Sequence, residues 1–216
     1  MAKIIKQSLP GLLFGISGTM GGMVYTSWKG KPGVRSKPKK SSTPPTRAQE
    51  AQRLRFALVN KCLLPARSLI NLGFRSAARH MTELNMAASL ALKNAITGAF
   101  PDYQIDYSRL LLSQGALCRG EAAEVEALGN ELIRFTWADY SFGDWQRSAD
   151  KAVLIALCPE AAVCVHAIGE ATRSHCMGLL HAKGLGGKKV HTYLSFFSAD
   201  GKKVSSSVYS GEVLIL

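Results

Sequence analysis

The sequence predicts an α+β protein with an N-terminal β-hairpin arm, two or three α-helices and then an antiparallel β-sandwich. Three observations predict it. Near the N-terminus, a short stretch with the composition of a strand is flanked by glycine and lysine residues. Apolar residues then recur at helical spacing. After Pro101, short runs of β-branched and aromatic residues alternate with turn residues. We therefore expect a Gly-rich arm over residues 1–45, a helical segment over 46–100 and a sandwich domain over 101–216.

The arm is predicted to form a hairpin. Residues 23–28 have the composition of a strand, residues 29–33 supply turn residues, and residues 34–37 continue as a second strand. A hairpin of this size is not stable by itself in water. We therefore expect it to pack on the helices, on the sandwich or on another subunit.

A polar linker with three prolines, residues 38–46, separates the arm from the first helix. Thr46 and Gln49 have the spacing of a capping box, in which the two side chains satisfy free N–H groups at a helix start. The pattern predicts a helix from this point to about Leu64, where Pro65 interrupts it.

Apolar residues continue at helical spacing over residues 66–99. Gly98 and Pro101 supply the stop, since glycine is common just past a helix end and proline beyond it. We expect two or three helices between residues 46 and 98, with a break at Gly73 or at residues 79–82.

Eight short runs rich in β-branched and aromatic residues follow Pro101 and are predicted strands. Trp137 is a candidate core aromatic, and Asp200-Gly201 predicts a hairpin turn. Strands at this spacing favour a sandwich of the immunoglobulin or fibronectin type. The predicted strands are residues 105–114, 123–128, 132–137, 152–158, 162–168, 176–181, 190–198 and 204–216.

The positive charge lies in the N-terminal half of the chain. Residues 1–108 carry 16 Lys+Arg and 4 Asp+Glu, a net charge of +12, whereas residues 109–216 carry 11 of each and are neutral overall. A one-sided charge of this kind indicates a surface for an anionic partner or an acidic protein face.

The cysteines and histidines give no metal motif. An odd number of widely spaced cysteines predicts buried free thiols, with one bridge from Cys164 to Cys158 or Cys176 as the alternative. A zinc site from Cys164, His166, His175 and Cys176 is geometrically conceivable, but no CxxC, HxxxH or HExxH spacing supports it. We therefore predict no metal and no cofactor. The residues considered are Cys62, Cys118, Cys158, Cys164, Cys176, His80, His166, His175, His181 and His191.

Catalytic motifs are equally scarce, so the chain is predicted not to be an enzyme. The Gly-rich run at residues 184–189 lacks the Walker pattern and predicts a hairpin loop, and residues 15–22 open no βαβ unit. Glu124 and Glu126 alternate as the solvated face of a strand would. An enzyme using Cys164 or Cys176 as nucleophile stays as an alternative without a motif.

Several motifs are carried by residues 15–21, 28–30, 34–40, 44–46, 55–57, 92–98, 197–204 and 207–209. In this order they resemble an uncharacterised bacterial family that is known only as a domain of unknown function. The resemblance spans nearly the whole chain and implies a single unit, but it implies no activity. A weaker similarity, of the arm followed by Pro-Pro-Thr-x-Ala-Gln, is to phage-type structural proteins.

The basic arm is the sequence feature with the clearest physical effect, because clustered cations attract an anionic partner. Its cations lie within 27 residues that contain one acid, Glu50, and two aromatic residues lie among or beside them. Three interpretations stay open: a contact with an acidic surface of a neighbouring copy, a salt-sensitive contact with the phosphates of a nucleic acid, and a solvated basic face. The candidate contact residues are Tyr25, Trp28, Lys29, Lys31, Arg35, Lys37, Lys39, Lys40, Arg47, Arg53 and Arg55.

We expect a non-enzymatic structural protein that forms a homo-oligomer, as a filament, ring or shell, through this arm. The alternative is a nucleic-acid-binding or packaging protein. No apolar stretch approaches the roughly 20 residues of a membrane-spanning helix. Residues 1–15 lack the pattern of a signal peptide, which predicts cytoplasmic synthesis and leaves export by another route or assembly into a phage-like structure open.

Overall fold

The computed structural model describes residues 3–4, 16–28, 31–39, 42–121, 123–139 and 145–216. The chain divides into two compact units, which are residues 1–46 (unit 1) and residues 47–216 (unit 2). Each unit has its own arrangement of strands, and only unit 2 has helices among the residues described.

Unit 1 is an antiparallel sheet in which four strands follow one another in chain order. They are β1 (Lys3–Ile4), β2 (Ile16–Met20), β3 (Met23–Trp28) and β4 (Lys31–Ser36). The pairing of β3 with β4 is the predicted hairpin, but Lys31, Pro32 and Gly33, which were predicted as turn residues, belong to β4. A turn at Gly21 and Gly22 joins β2 to β3, and Gly21 has a φ of +58°, which favours glycine.

The helices of unit 2 begin at the predicted boundary. Helix α1 (Arg47–Leu63) is followed by a 3₁₀ turn containing Pro65, then by α2 (Arg67–Gly73) and α3 (Glu83–Asn94). Thr82 caps α3, because its hydroxyl accepts a hydrogen bond from the Asn85 N–H at 3.2 Å. Within the segments described, none of these helices combines the length and apolarity needed to cross a membrane.

The predicted helical pattern extends too far. Helix α3 ends at Asn94, and the chain continues as a hairpin of β5 (Ile96–Ala99) and β6 (Asp102–Ile105). Gly98 is a strand residue with a φ of +84°, and a Cβ there would lie 2.3 Å from the Asp102 carbonyl oxygen. Glycine is therefore needed at this position because two strands approach each other closely, and not because a helix ends there.

The predicted strand over residues 105–114 is also wrong. Only Ile105 belongs to a strand, and residues Tyr107–Arg109 form a 3₁₀ turn. Asp106 accounts for the difference, because its carboxylate accepts a hydrogen bond from the Ser108 N–H at 3.0 Å and so caps the turn.

The other seven predicted strands are confirmed, with ends displaced by up to four residues. A one-turn helix, α4 (Trp145–Ser148), precedes the third of them. The strands are β7 (Glu124–Leu128), β8 (Leu132–Thr136), β9 (Lys151–Cys158), β10 (Val163–Thr172), β11 (Met177–His181), β12 (Lys189–Phe197) and β13 (Val208–Leu214).

These seven strands form two antiparallel sheets, one in the order β10-β9-β12-β13 and one in the order β11-β8-β7. A single buried core combines side chains of both sheets, such as Leu154 and Phe196 from the first and Ile133 and Phe135 from the second. The hairpin turn predicted at Asp200-Gly201 lies between β12 and β13, where the Gly201 N–H donates to the Ser198 carbonyl at 2.8 Å.

Strand β9 is buried on both faces. Leu154 and Ala156 join the core between the two sheets, whereas Ile155 and Leu157 join a second core with the helices. Unit 2 is therefore layered as helices, a four-stranded sheet and a three-stranded sheet. This arrangement explains why residues 152–158 are apolar without alternation, as expected for a strand that is covered on both faces.

Trp137 is a core residue as predicted, and it contacts Arg173, which is one partner of a buried ion pair. Its indole N–H donates to the Arg173 carbonyl at 2.8 Å. The Arg173 guanidinium lies 3.8 Å from the centre of the Phe196 ring and donates to the Asp150 carboxylate at 3.2 Å. Both charged side chains are inside the protein, so each depends on the other.

Candidate interaction surfaces

The sheet of unit 1 has an apolar face. Strand register places Tyr25 opposite both Gly18 and Val34, and places Met20 opposite Met23. Residues directly opposite each other share a face of a sheet, and so do alternate residues of one strand. The side chains of Met20, Met23 and Val34 are 53%, 51% and 43% exposed. Three large apolar side chains therefore face solvent beside Tyr25.

The opposite face of the same sheet is polar and basic. Arg35 lies opposite Val24, which lies opposite Thr19, and Lys31 occupies the same face two pairs further along β4. Lys37 and Lys39 follow directly after β4 and are exposed. Among the described cations of the arm, Lys31 and Arg35 therefore lie on the face opposite the apolar one, and Lys37 and Lys39 lie beyond the end of β4.

No residue is buried among those of unit 1 for which burial is described. Every residue of β4 is exposed, including the apolar Val34. A four-stranded sheet gains independent stability when one of its faces packs against other apolar groups. The described part of unit 1 therefore lacks the core that would normally hold such a sheet.

The predicted contact residues divide between the two units. Tyr25, Lys31, Arg35, Lys37 and Lys39 belong to unit 1. Lys29, Lys40 and the side chain of Trp28 lie outside the described residues. Arg47, Arg53 and Arg55 belong to helix α1 of unit 2.

Two of the α1 arginines lie over aromatic rings of the β5–β6 hairpin. The Arg47 guanidinium carbon is 5.3 Å from the centre of the Phe100 ring, and that of Arg55 is 4.6 Å from the centre of the Tyr103 ring. Such contacts are favourable because the ring face is negative. They fix two cations along the exposed half of α1, a feature that sequence spacing alone did not reveal.

An open groove lies between α1 and α3. Its volume is about 490 Å³, and Phe56 on its α1 side is 46% exposed. Arg55 stands on the α1 wall and Lys93 on the α3 wall, and none of the described residues that line the groove is acidic. The lining residues are Gln52, Arg55, Phe56, Asn85, Ala88, Ser89, Leu92 and Lys93.

The outer face of the three-stranded sheet combines apolar and acidic side chains. Register aligns Glu126, Arg134 and Leu179 in one row, and Glu124 and Met177 in the next. Met177 and Leu179 are 49% and 43% exposed. Glu126 is paired with Arg134. Glu124, in the next row, therefore supplies the negative charge of this face. The prediction that Glu124 and Glu126 form a solvated face is confirmed.

The cysteines and histidines singled out by the sequence do not converge. The five cysteines are free thiols, so the alternative of a Cys164 bridge is wrong, but only Cys158 is fully buried and Cys118 is exposed. Cys164 packs against the helical core, while His175 accepts a hydrogen bond from the Thr172 N–H at 3.1 Å. Among the residues described, no three His, Cys, Asp or Glu side chains gather as metal ligands.

A nucleophilic role for Cys164 is disfavoured by its surroundings. Burial raises the pKa of its thiol to about 12. The thiolate is the reactive form of cysteine, so this side chain is almost fully protonated near neutral pH. Cys176 ends a 3₁₀ turn with a φ of +54°, and its thiol donates weakly to the Ser174 carbonyl at 3.7 Å.

The Gly-rich loop after β11 binds a carboxylate of its own chain. The N–H groups of Gly184 and Gly186 donate to Glu131 at 3.0 and 3.1 Å, and they lower the pKa of that carboxyl. The loop joins β11 to β12, which lie in different sheets, so the predicted hairpin at residues 184–189 is wrong. The Gly-rich loop therefore binds the Glu131 carboxylate and connects the two sheets.

A histidine links the helical layer to the four-stranded sheet. The His191 ring stacks on Tyr107 with centroids 3.8 Å apart, and its Nδ1 is 3.1 Å from the Tyr209 hydroxyl. Burial lowers the pKa of His191 below its ordinary value of 6.5, and burial has the same effect on His166. The folded protein therefore resists protonation at both sites.

We expect the free energy of unfolding to decrease as the pH falls below 6.5, the ordinary histidine value. The unfolded chain takes up protons there that the folded chain does not, so the stability present at higher pH is lost on acidification. Urea denaturation at about pH 7.5 and about pH 5.5 measures the loss. The loss should be smaller in His191→Gln and unchanged in the exposed His80→Gln. Equal losses in all three proteins would contradict the assignment.

Comparison with known proteins gives a family without an activity. The family model described as "Family of unknown function (DUF6266)" matches residues 15–211. The resemblance predicted from the sequence motifs is confirmed. No curated protein matches the chain. The surfaces described above are therefore the basis for any inference about function.

Proposed function

The chain belongs to this family of unknown function, and we propose that it is a non-enzymatic structural protein that self-assembles through unit 1. One observation carries the proposal: the sheet of unit 1 exposes Met20, Met23 and Val34 on one face, and none of its residues whose burial is described is buried. Contiguous apolar surface of this kind marks an interaction site. Assembly covers this face and buries its apolar side chains.

We propose further that the seven strands of unit 2 form a sandwich of the fibronectin type. The support is the division of the strands, with the first, second and fifth in one sheet and the third, fourth, sixth and seventh in the other. Immunoglobulin constant domains place the fourth strand with the first, second and fifth. In this chain the fourth strand, β10, pairs with the third, β9.

The proposed occupant of the apolar face is a second copy of this chain. The outer face of the three-stranded sheet has matching chemistry, because exposed Met177 and Leu179 lie beside Glu124, whereas Glu126 is already paired with Arg134. Lys37 lies at one end of the unit 1 sheet, where its N–H donates to the Gly22 carbonyl at 2.8 Å next to Met23 of the apolar face. Apolar contact with complementary charges at the rim is the usual composition of a specific interface.

The two surfaces differ, so the contact they make is head-to-tail. A head-to-tail contact repeats from copy to copy, and it produces a filament, or a ring where the rotation closes. A symmetric dimer is not the expected product. This distinguishes the proposal from pairing of two identical β4 edges, which would stop at two copies.

The full chain should therefore form species larger than a dimer in a concentration-dependent way. Sedimentation velocity over a wide concentration range measures the mass, and negative-stain electron microscopy shows the form of the particles. Each copy adds 23.3 kDa. Filaments or rings in the absence of DNA are the expected result. A constant mass of 23.3 kDa at every concentration would sink the proposal.

A further inference from the structure

We propose that the groove between α1 and α3 is a binding site for single-stranded nucleic acid. The groove belongs to unit 2 and is separate from the apolar face of unit 1, so this site goes beyond the proposed assembly function. Its two walls supply one cation each, Arg55 and Lys93, and Phe56 stands exposed on the α1 side. Proteins that bind single strands combine these two elements, a cationic groove and an exposed aromatic ring.

The cations of this region are interleaved with aromatic rings. Arg47 covers Phe100 and Arg55 covers Tyr103, with guanidinium-to-ring distances of 5.3 and 4.6 Å. A guanidinium that stacks on an aromatic ring still has the N–H groups of its edge free to bind a phosphate. The ring also holds the guanidinium in position before the phosphate binds. Together with Phe56 these pairs form a cationic and aromatic band along the exposed part of α1.

The wider surroundings of the groove are also positive. Residues 47–94 carry eight Lys+Arg and two Asp+Glu, a net charge of +6. This accounts for half of the net charge of the whole chain, which is +12. The charge attracts a polyanion to the helical layer independently of unit 1.

A nucleic acid fits the groove better than an acidic peptide does. An acidic peptide would use the two cations, but it has no particular need for the exposed Phe56 ring. A base can stack on that ring, and the side-chain amides of Gln52 and Asn85 in the lining can bond to base edges. A double helix keeps its bases stacked inside, so a single strand is the form that can use Phe56.

Fluorescence anisotropy with a labelled oligothymidine of about 15 nucleotides tests the site, at low salt and with the full chain. We expect binding that weakens steeply with added salt. Phe56→Ala should weaken binding about tenfold or more through the lost stacking. Lys93→Glu should weaken it similarly and also reduce the salt dependence. Both side chains are exposed, and circular dichroism verifies that each variant is folded.

Lys202→Glu is the matched control. This exposed lysine lies in the turn between β12 and β13, and its replacement changes the net charge by the same amount as Lys93→Glu. It should leave binding within about twofold of the wild type. Equal losses in the two lysine variants, or full binding by Phe56→Ala, would overturn the site. So would polyglutamate that competes as well as unlabelled oligothymidine, since the groove would then be a site for acidic peptides. Sedimentation without oligonucleotide reports self-assembly separately.

Discussion

Replacing Asp150 with alanine should lower the free energy of unfolding by about 3–5 kcal/mol, the usual cost of removing one partner of a buried ion pair. Asp150 is 3% exposed and Arg173 is 1% exposed. Without the carboxylate, the guanidinium keeps its contact with the Phe196 ring and its hydrogen bond to the Cys118 carbonyl at 2.8 Å. Neither contact neutralises its charge. Urea denaturation followed by circular dichroism measures the change.

Two further variants separate the buried charge from other effects. Glu212→Ala removes a carboxylate from an exposed pair with Lys189, and it should leave the denaturation midpoint close to that of the wild type. Asp150→Ala combined with Arg173→Met removes both charges, and it should be more stable than Asp150→Ala alone. If the double variant is the less stable of the two, the unpaired charge is not the cause.

Val34→Glu should abolish self-assembly. The change places a charge on the apolar face, opposite Tyr25, and burying it against another apolar surface costs several kcal/mol. We therefore expect the dissociation constant of the assembly to rise about 100-fold or more. Because Val34 is exposed and belongs to the edge strand β4, the fold of the separate chain should survive.

The control for Val34→Glu lies on the other face of the same sheet. Thr19→Glu introduces the same charge at an exposed position in the row of Val24 and Arg35. It should leave the size distribution in sedimentation velocity unchanged. Equal dissociation by both variants would mean that added negative charge, and not loss of the apolar face, disrupts the assembly.

Much of the fold was predictable because local pattern and tertiary structure agree. The capping-box spacing of Thr46 and Gln49 and the proline at position 65 predict the bounds of α1 correctly, since both signals depend only on neighbouring residues. Residues 152–158 were recognisable as a strand because β-branched and apolar residues fill it without interruption. Their burial on both faces depends on which elements cover the sheet, and that cannot be derived from the strand itself.

The failures lie where tertiary contacts override local pattern. Ile96 continues the helical spacing, yet the close approach of β5 and β6 at Gly98 converts the segment into a hairpin. Arg173 was not singled out, because a lone arginine carries no periodic signal. Its partner Asp150 precedes it by 23 residues and meets it only when β9 and the turn after β10 come together.

The candidate surfaces were predictable in composition but not in geometry. The sequence identified the basic arm and Tyr25, and the register then separated the cations Lys31 and Arg35 from the apolar face. Arg47 and Arg55 follow closely after the arm along the chain, so the charge pattern of the sequence groups them with the arm. Their stacking on Phe100 and Tyr103 requires the β5–β6 hairpin, and the sequence pattern predicts a helix for part of its first strand, β5.

Mixing two assembly-deficient variants tests the central claim most directly. Val34→Glu removes the apolar face of unit 1, and Leu179→Glu removes the proposed acceptor face on β11. In a head-to-tail contact each variant retains one intact surface. Each alone should therefore sediment as a monomer of 23.3 kDa, and the equimolar mixture should form a one-to-one dimer of twice that mass. A mixture that stays monomeric, or a Leu179→Glu protein that still assembles by itself, would contradict the account.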